Sequence, residues 1–115
     1  WVHTKLALDL VPTGEFSPDF TEIPDNWDAM RAMADEALAA LDAADANALE
    51  TLAESEVHFV LGGTRRMSFT VSNFLLSFSQ PNFYFHATTF YDILRMKNVP
   101  LGKRAFLHTP RILRS

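Results

Sequence analysis

Residues 57–71 read VHFVLGGTRRMSFTV. Val57, Phe59 and Leu61 alternate with His58 and Val60, and Met67, Phe69 and Val71 alternate with Ser68 and Thr70. Alternation on both sides of a glycine pair spells a short β-hairpin, because Gly62 and Gly63 accept the positive φ that a tight turn needs. Two strands alone are marginal in water, so the hairpin must pack on helices. Val71 to about Lys97 then reads as one long helix, with Thr70 or Ser72 as cap and Asn98 near its end. Pro81 interrupts it: proline removes a backbone donor and crowds the carbonyl of Ser77, which predicts a kink or two helices meeting at Gln80-Pro81. Leu101 to Leu107 reads as a closing turn and apolar latch, and His108 to Ser115 as a loose basic tail.

Upstream, Val2, Leu6, Leu10 and Val11 sit close to helical spacing and Pro12 follows, which reads as the last turns of a helix with no visible start. Pro12 to Pro24 holds three prolines, a glycine and three acids, with Phe16, Phe20 and Ile23 as isolated anchors, and reads as a long connecting loop. Asp25 makes an N-cap with Asp28 three residues on, and Asn26 to Ala44 is rich in Ala, Leu and Met. Trp27, Met30, Ala34, Leu38 and Leu41 share one face of that helix. Asp28, Asp35 and Asp42 mark its solvent face at seven-residue steps. Asp45 to Ser55 is a polar connection.

The chain of 115 residues is 48% hydrophobic and 21% charged, which fits a single helical domain over residues 1–115. It has no cysteine, so disulfides, thiolate nucleophiles and cysteine zinc sites are excluded and any metal rests on histidine and carboxylate. No apolar run approaches the roughly 20 residues that span a bilayer, and no secretory leader is visible, so no membrane partner is expected and the cytoplasm is the default setting. Residues 1–56 carry thirteen acids against Lys5 and Arg31, while residues 57–115 carry Asp92 against eight bases. The bases are scattered and no nucleic-acid motif accompanies them, so nucleic acid is not an expected partner. Attraction between the two halves, or between two copies as a homodimer, is.

At about 100° per residue, Leu75, Phe78, Asn82, His86, Thr89 and Ile93 form a narrow stripe on the last helix whose centre is polar. Asn82 and His86 stand one turn apart, the geometry by which helices present ligand pairs, and equally the geometry of a buried pair satisfied by neighbouring helices. Asn82, His86 and Thr89 are the candidate ligand-binding residues. Phe83, Tyr84, Phe85, Phe90, Tyr91 and Leu94 make the helix apolar nearly all round, as core or dimer contacts do. His58 alternates away from Val57 and Phe59 on the hairpin, and His108 lies in the tail. Gly62-Gly63 lacks the context of a phosphate loop, and none of Ser72, Ser77 and Ser79 sits on a nucleophile elbow.

The run Pro81-Asn82-Phe83-Tyr84-Phe85-His86-Ala87-Thr88-Thr89, followed by Tyr91-Asp92-Ile93-Leu94-Arg95, by Val99-Pro100-Leu101-Gly102-Lys103 and by Phe106-Leu107, resembles an uncharacterised branch of the DinB/YfiT-like superfamily. The resemblance is strongest over residues 67–107. It implies a mainly α four-helix bundle with a small hairpin before the last helix, here lacking the first helix and part of the second. Many relatives hold a divalent metal, zinc or nickel, with three histidines, one from the second helix and two from an H-x-x-x-H step on the last, and some use it for thiol transfer. By that resemblance His3 and His86 become the candidate metal ligands, and the step here reads Asn82-x-x-x-His86. An amide is a weak ligand for those ions, so the expected function is a non-catalytic or degenerate member that binds a small molecule or a partner. The rival is a divalent-metal-dependent, transferase-like enzyme.

Overall fold

Three strands make one sheet in the order β1 (Glu15–Phe16), β2 (Glu56–Leu61) and β3 (Thr64–Thr70). The hairpin of β2 and β3 is the expected one: Val57 pairs Phe69, Phe59 pairs Met67, and Leu61 pairs Thr64 across the turn. Gly62 and Gly63 have φ of 61° and 68°, the paired positive angles of a type I′ turn, whose twist matches that of the strands. A bulge between Phe59 and Val60 shifts the outer register, and Leu61 and Met67 at that end are exposed. The third strand departs from the loop reading of residues 12–24: Glu15 and Phe16 pair in parallel with His58 and Phe59.

The structure is a computed structural model that describes residues 1–19 and 21–108. It is mostly helical, and the chain divides into two compact units, Trp1–Asn82 and Phe83–Ser115. The Phe20 anchor and the tail beyond His108 lie outside the described residues. Among the described residues no helix is long and apolar enough to cross a membrane.

The first unit opens with a helical run that changes pitch twice: a π-helical turn Val2–Leu6, then α1 (Ala7–Leu10), then a 3₁₀ turn Val11–Thr13. Gly14 ends it at φ 80°, and its carbonyl accepts from the amide of His58 at 2.9 Å, which starts the parallel pairing. After the connecting loop come α2 (Trp27–Ala43) and α3 (Ala46–Thr51). The cap of α2 is Asn26 rather than Asp25: its Oδ1 accepts from the amide of Ala29 at 2.9 Å, while Asp25 accepts from the Asn26 amide group. Within the polar connection, Asp45 caps α3 by accepting from the amides of Asn47 and Ala48.

Which face of α2 packs differs from the expectation. The half-buried residues are Ala29, Met33, Ala37 and Ala40, and α2 lies against the Val2–Leu6 turn. Small side chains let two helices approach closely, and that stripe lies roughly 100° around from the bulky one. Trp27, Met30, Leu38 and Leu41 do share a face, but it is exposed.

After β3, α4 (Val71–Asn73) is capped by Thr70, whose hydroxyl accepts from the amide of Asn73. A π-helical segment Phe74–Ser79 follows, then α5 (Gln80–Met96). Two helical segments meet at Gln80-Pro81, one of the two expected forms. The chain widens just before it: the amide of Gln80 reaches five residues back to Leu75, and the side chains of Ser77 and Asn82 donate to the carbonyls of Asn73 and Phe78.

The core of this unit is Ala7, Val11, Phe16, Val57, Val71 and Phe74, all buried. Phe16 is its centre. Its ring stands 4.9 Å from Phe74 and 6.1 Å from Phe59, so the strand that the loop reading missed carries a fully buried aromatic of the core, as does Phe74.

In the second unit, α5 ends at Asn98, which takes φ 62°; its amide reaches Arg95 and that of Val99 reaches Leu94, the paired bonds of a Schellman motif. α6 (Lys103–Leu107) forms the expected latch, with the Tyr91 hydroxyl donating to the carbonyl of Gly102 at 2.6 Å and its ring edge-on to Phe106.

Candidate functional site

His3 and Ser79 meet, although they lie at opposite ends of the first unit's sequence. His3 sits in the first π-helical turn and Ser79 ends the second. The His3 Nδ1 is 3.1 Å from the Ser79 hydroxyl, which also approaches the His3 carbonyl at 3.5 Å. The imidazole stacks near Phe16 at 6.1 Å and stands edge-on to Phe78 at 6.4 Å. Ser79 is 2% exposed and is the buried polar residue of the unit. A serine hydroxyl against an imidazole has the composition of a nucleophile and its base, but a hydroxyl enclosed in mid-helix cannot meet a substrate carbonyl. What the pair does here is join two widened helical turns inside an aromatic shell.

Asn82 lies one turn beyond Ser79, half-buried, and spends its amide hydrogen on the carbonyl of Phe78 at 2.7 Å. His86 and Thr89 belong to the second unit and are exposed on α5. The His86 ring is edge-on to Phe85 at 5.3 Å, and the Thr89 hydroxyl donates to the carbonyl of Phe85 at 2.7 Å. The structure thus brings His3 to Ser79, a partner the sequence reading did not pair with it. The available signal was faint: Ser79 precedes Asn82 by three residues, on the same side of the helix.

A groove of about 650 Å³ opens beside the first helical run, between the connecting loop and α2. Trp1, Leu6, Ile23 and Met33 line it, with carboxylates of Asp19, Glu22, Asp25 and Glu36 around them. The Trp1 indole donates to Glu36 at 2.9 Å, and the Lys5 ammonium lies 5.6 Å from the indole centre. Its hydrogen bond to Asp9 holds the Lys5 ammonium above its ordinary pKa. Asp19 also accepts from the amide of Gly62 at 2.6 Å, tying the loop to the hairpin turn.

On the hairpin, His58 is half-buried, with Nδ1 2.9 Å from the Ser68 hydroxyl and 3.6 Å from Glu56. Both neighbours address the same ring nitrogen, so the three do not form a relay through the imidazole. His108 ends α6 at φ 51°, its amide bonded to Arg104. Among the described residues no three histidine or carboxylate side chains converge as a metal site would require.

No curated protein and no solved structure matches the chain. A family profile matches residues 2–107, the hairpin, the widened turns and both units included, and by that match the chain belongs to the family described as a domain of unknown function (DUF1993).

Proposed function

We propose that this chain is a non-catalytic domain of the DinB-like type that binds a small molecule or a partner, with Asn82, His86 and Thr89 as the residues that meet the ligand. A helical chain whose hairpin precedes its last long helix supports the DinB-like bundle reading. The observation that carries the functional reading is the surroundings of His3: the imidazole that the resemblance nominates as a metal ligand meets a buried hydroxyl, and among the described residues no three histidine or carboxylate side chains converge on it. Asn82 likewise turns its amide hydrogen inward to its own helix.

These donors do not fit a zinc or nickel ion. Such ions take three or four strong nitrogen, sulfur or carboxylate ligands, and an amide oxygen with two imidazoles falls short of that set. The exposed imidazole of His86 and hydroxyl of Thr89 suit hydrogen bonding to a polar ligand instead.

Elemental analysis of protein purified without an affinity metal tests this reading, with His86→Ala and His3→Ala variants beside it. The expected result is less than a tenth of an equivalent of any transition metal in all three. One equivalent that disappears in either variant would replace it with the metal-dependent enzyme.

A further inference from the structure

The groove between the connecting loop and α2 lies wholly within the first unit, and its floor and rim differ in chemistry. The floor is apolar. Trp1 comes to it from the first helical run, Met33 from α2, and Ile23 from the loop. Ile23 is 91% exposed, so its apolar surface is open to whatever enters. The volume of about 650 Å³ suits a small molecule, for which pockets run roughly 300–1,000 Å³.

The walls are held by contacts of their own. Asp19 ties the loop to the hairpin turn through the Gly62 amide, Asn26 caps α2 where the loop ends, and the Trp1 indole donates to Glu36 on α2 at 2.9 Å. A site fixed in this way loses little freedom when a ligand enters.

The rim is acidic, with carboxylates of Asp19, Glu22, Asp25 and Glu36 around the apolar floor. Two positive groups stand beside them. Burial disfavours the charged form of the Trp1 α-amine, and the Lys5 ammonium is engaged by Asp9. The groove therefore repels an anion and favours a cation. A second observation points the same way: the Lys5 ammonium stands 5.6 Å from the Trp1 ring centre, within cation–π reach, and after Asp9 the charge of Glu36 also holds it protonated. Lys5 is not among the residues lining the groove, so the indole and Glu36 attract an ammonium there without the space being filled.

We propose that this groove binds a small organic amine, its apolar body against Trp1, Ile23 and Met33 and its ammonium among Glu22, Asp25 and Glu36. The site goes beyond the binding reading above. None of Asn82, His86 and Thr89 lines it, and metal content has no bearing on it.

The test is titration of the full chain with 2-phenylethylamine and with hexylamine at low ionic strength, followed by the Trp1 indole N–H resonance. A Trp27→Phe variant assigns that resonance, since Trp27 is exposed and lies outside the groove lining. 2-Phenylethanol and 3-phenylpropanoate serve as neutral and anionic counterparts. The expected result is saturation by an amine with Kd below about 1 mM, binding of the alcohol at least about tenfold weaker, and no saturation by the propanoate. Glu22→Gln/Asp25→Asn, at two exposed positions, is expected to weaken amine binding at least about fivefold with an unchanged circular dichroism spectrum. Glu22→Gln alone replaces it if the double variant loses helix. Failure of both amines to saturate below about 1 mM overturns the proposal. So does equal affinity for amine and alcohol, because the carboxylates then play no part. Unchanged affinity in the folded carboxylate variant overturns it too, since the amine then sits elsewhere.

Discussion

His3 and Ser79, 76 residues apart, share a hydrogen bond of 3.1 Å between two turns that both have π-helical pitch. Widened turns displace side chains from the regular helical wheel, and here the displacement lets an imidazole and a hydroxyl meet among phenylalanines. Removing the hydroxyl removes that hydrogen bond from the shell. Ser79→Ala is expected to lose about 1–2 kcal/mol in urea unfolding without loss of helix content. An unchanged midpoint would show that the pair contributes no net stability.

Gly14 carries a second obligation. At φ 80° it turns the chain from the first helical run into β1, and a Cβ built there would stand 3.5 Å from the carbonyl of Glu56, in ordinary contact. Space is available and the backbone angle is the obstacle. Gly14→Ala should therefore cost about 1–2 kcal/mol, the penalty of the left-handed conformation for a residue with a Cβ. Thermal unfolding of the single variant checks it.

The hairpin turn predicts a difference between two substitutions at one position. Gly62 takes φ 61°, which asparagine tolerates and a β-branched residue does not, and no atom waits within 4 Å of a new Cβ. Gly62→Asn is expected to be neutral within about 0.5 kcal/mol, while Gly62→Val loses more than about 1 kcal/mol. Equal effects would mean that the turn type is different from the one described.

Tyr91 offers a local rather than a global readout. Its hydroxyl donates to Gly102 at 2.6 Å and its ring supports Phe106. Tyr91→Phe keeps the ring and removes the bond, so amide exchange should accelerate several-fold in residues 101–107 while the global unfolding midpoint stays put. Uniform destabilisation would tie α6 to the core more closely than this contact implies.

The hairpin, the long helix after it and the Asn98 terminus were legible because each depends on neighbours in sequence: alternation, a glycine pair, a residue tolerant of positive φ. β1 was not, since two residues carry no alternation and Phe16 becomes a strand only by meeting Phe59. The packed face of α2 was hidden for a different reason. Hydrophobic pattern weights Trp27 and Leu38 above Ala29, Ala37 and Ala40, yet close approach between helices favours the small residues. Pro81 announced the meeting of two helical segments at Gln80 but not the widened turn before it, because proline chemistry marks where a helix is disturbed and leaves the pitch of the preceding turn open. At the candidate site, the attachment of His3 to Ser79 was not legible, because both π-helical turns lie off the ideal wheel from which the stripe was read.

The parallel pairing of β1 with β2 also sets an order of events in time. The hairpin closes over two glycines and can form in about 1–10 μs, whereas Glu15 and Phe16 find His58 and Phe59 only after a segment containing all of α2 and α3 has looped back. Phe16 should enter the core late, so truncating it is expected to speed unfolding far more than it slows refolding. The residue at the centre of the finished unit is then a lock on the native state rather than the seed from which it grows.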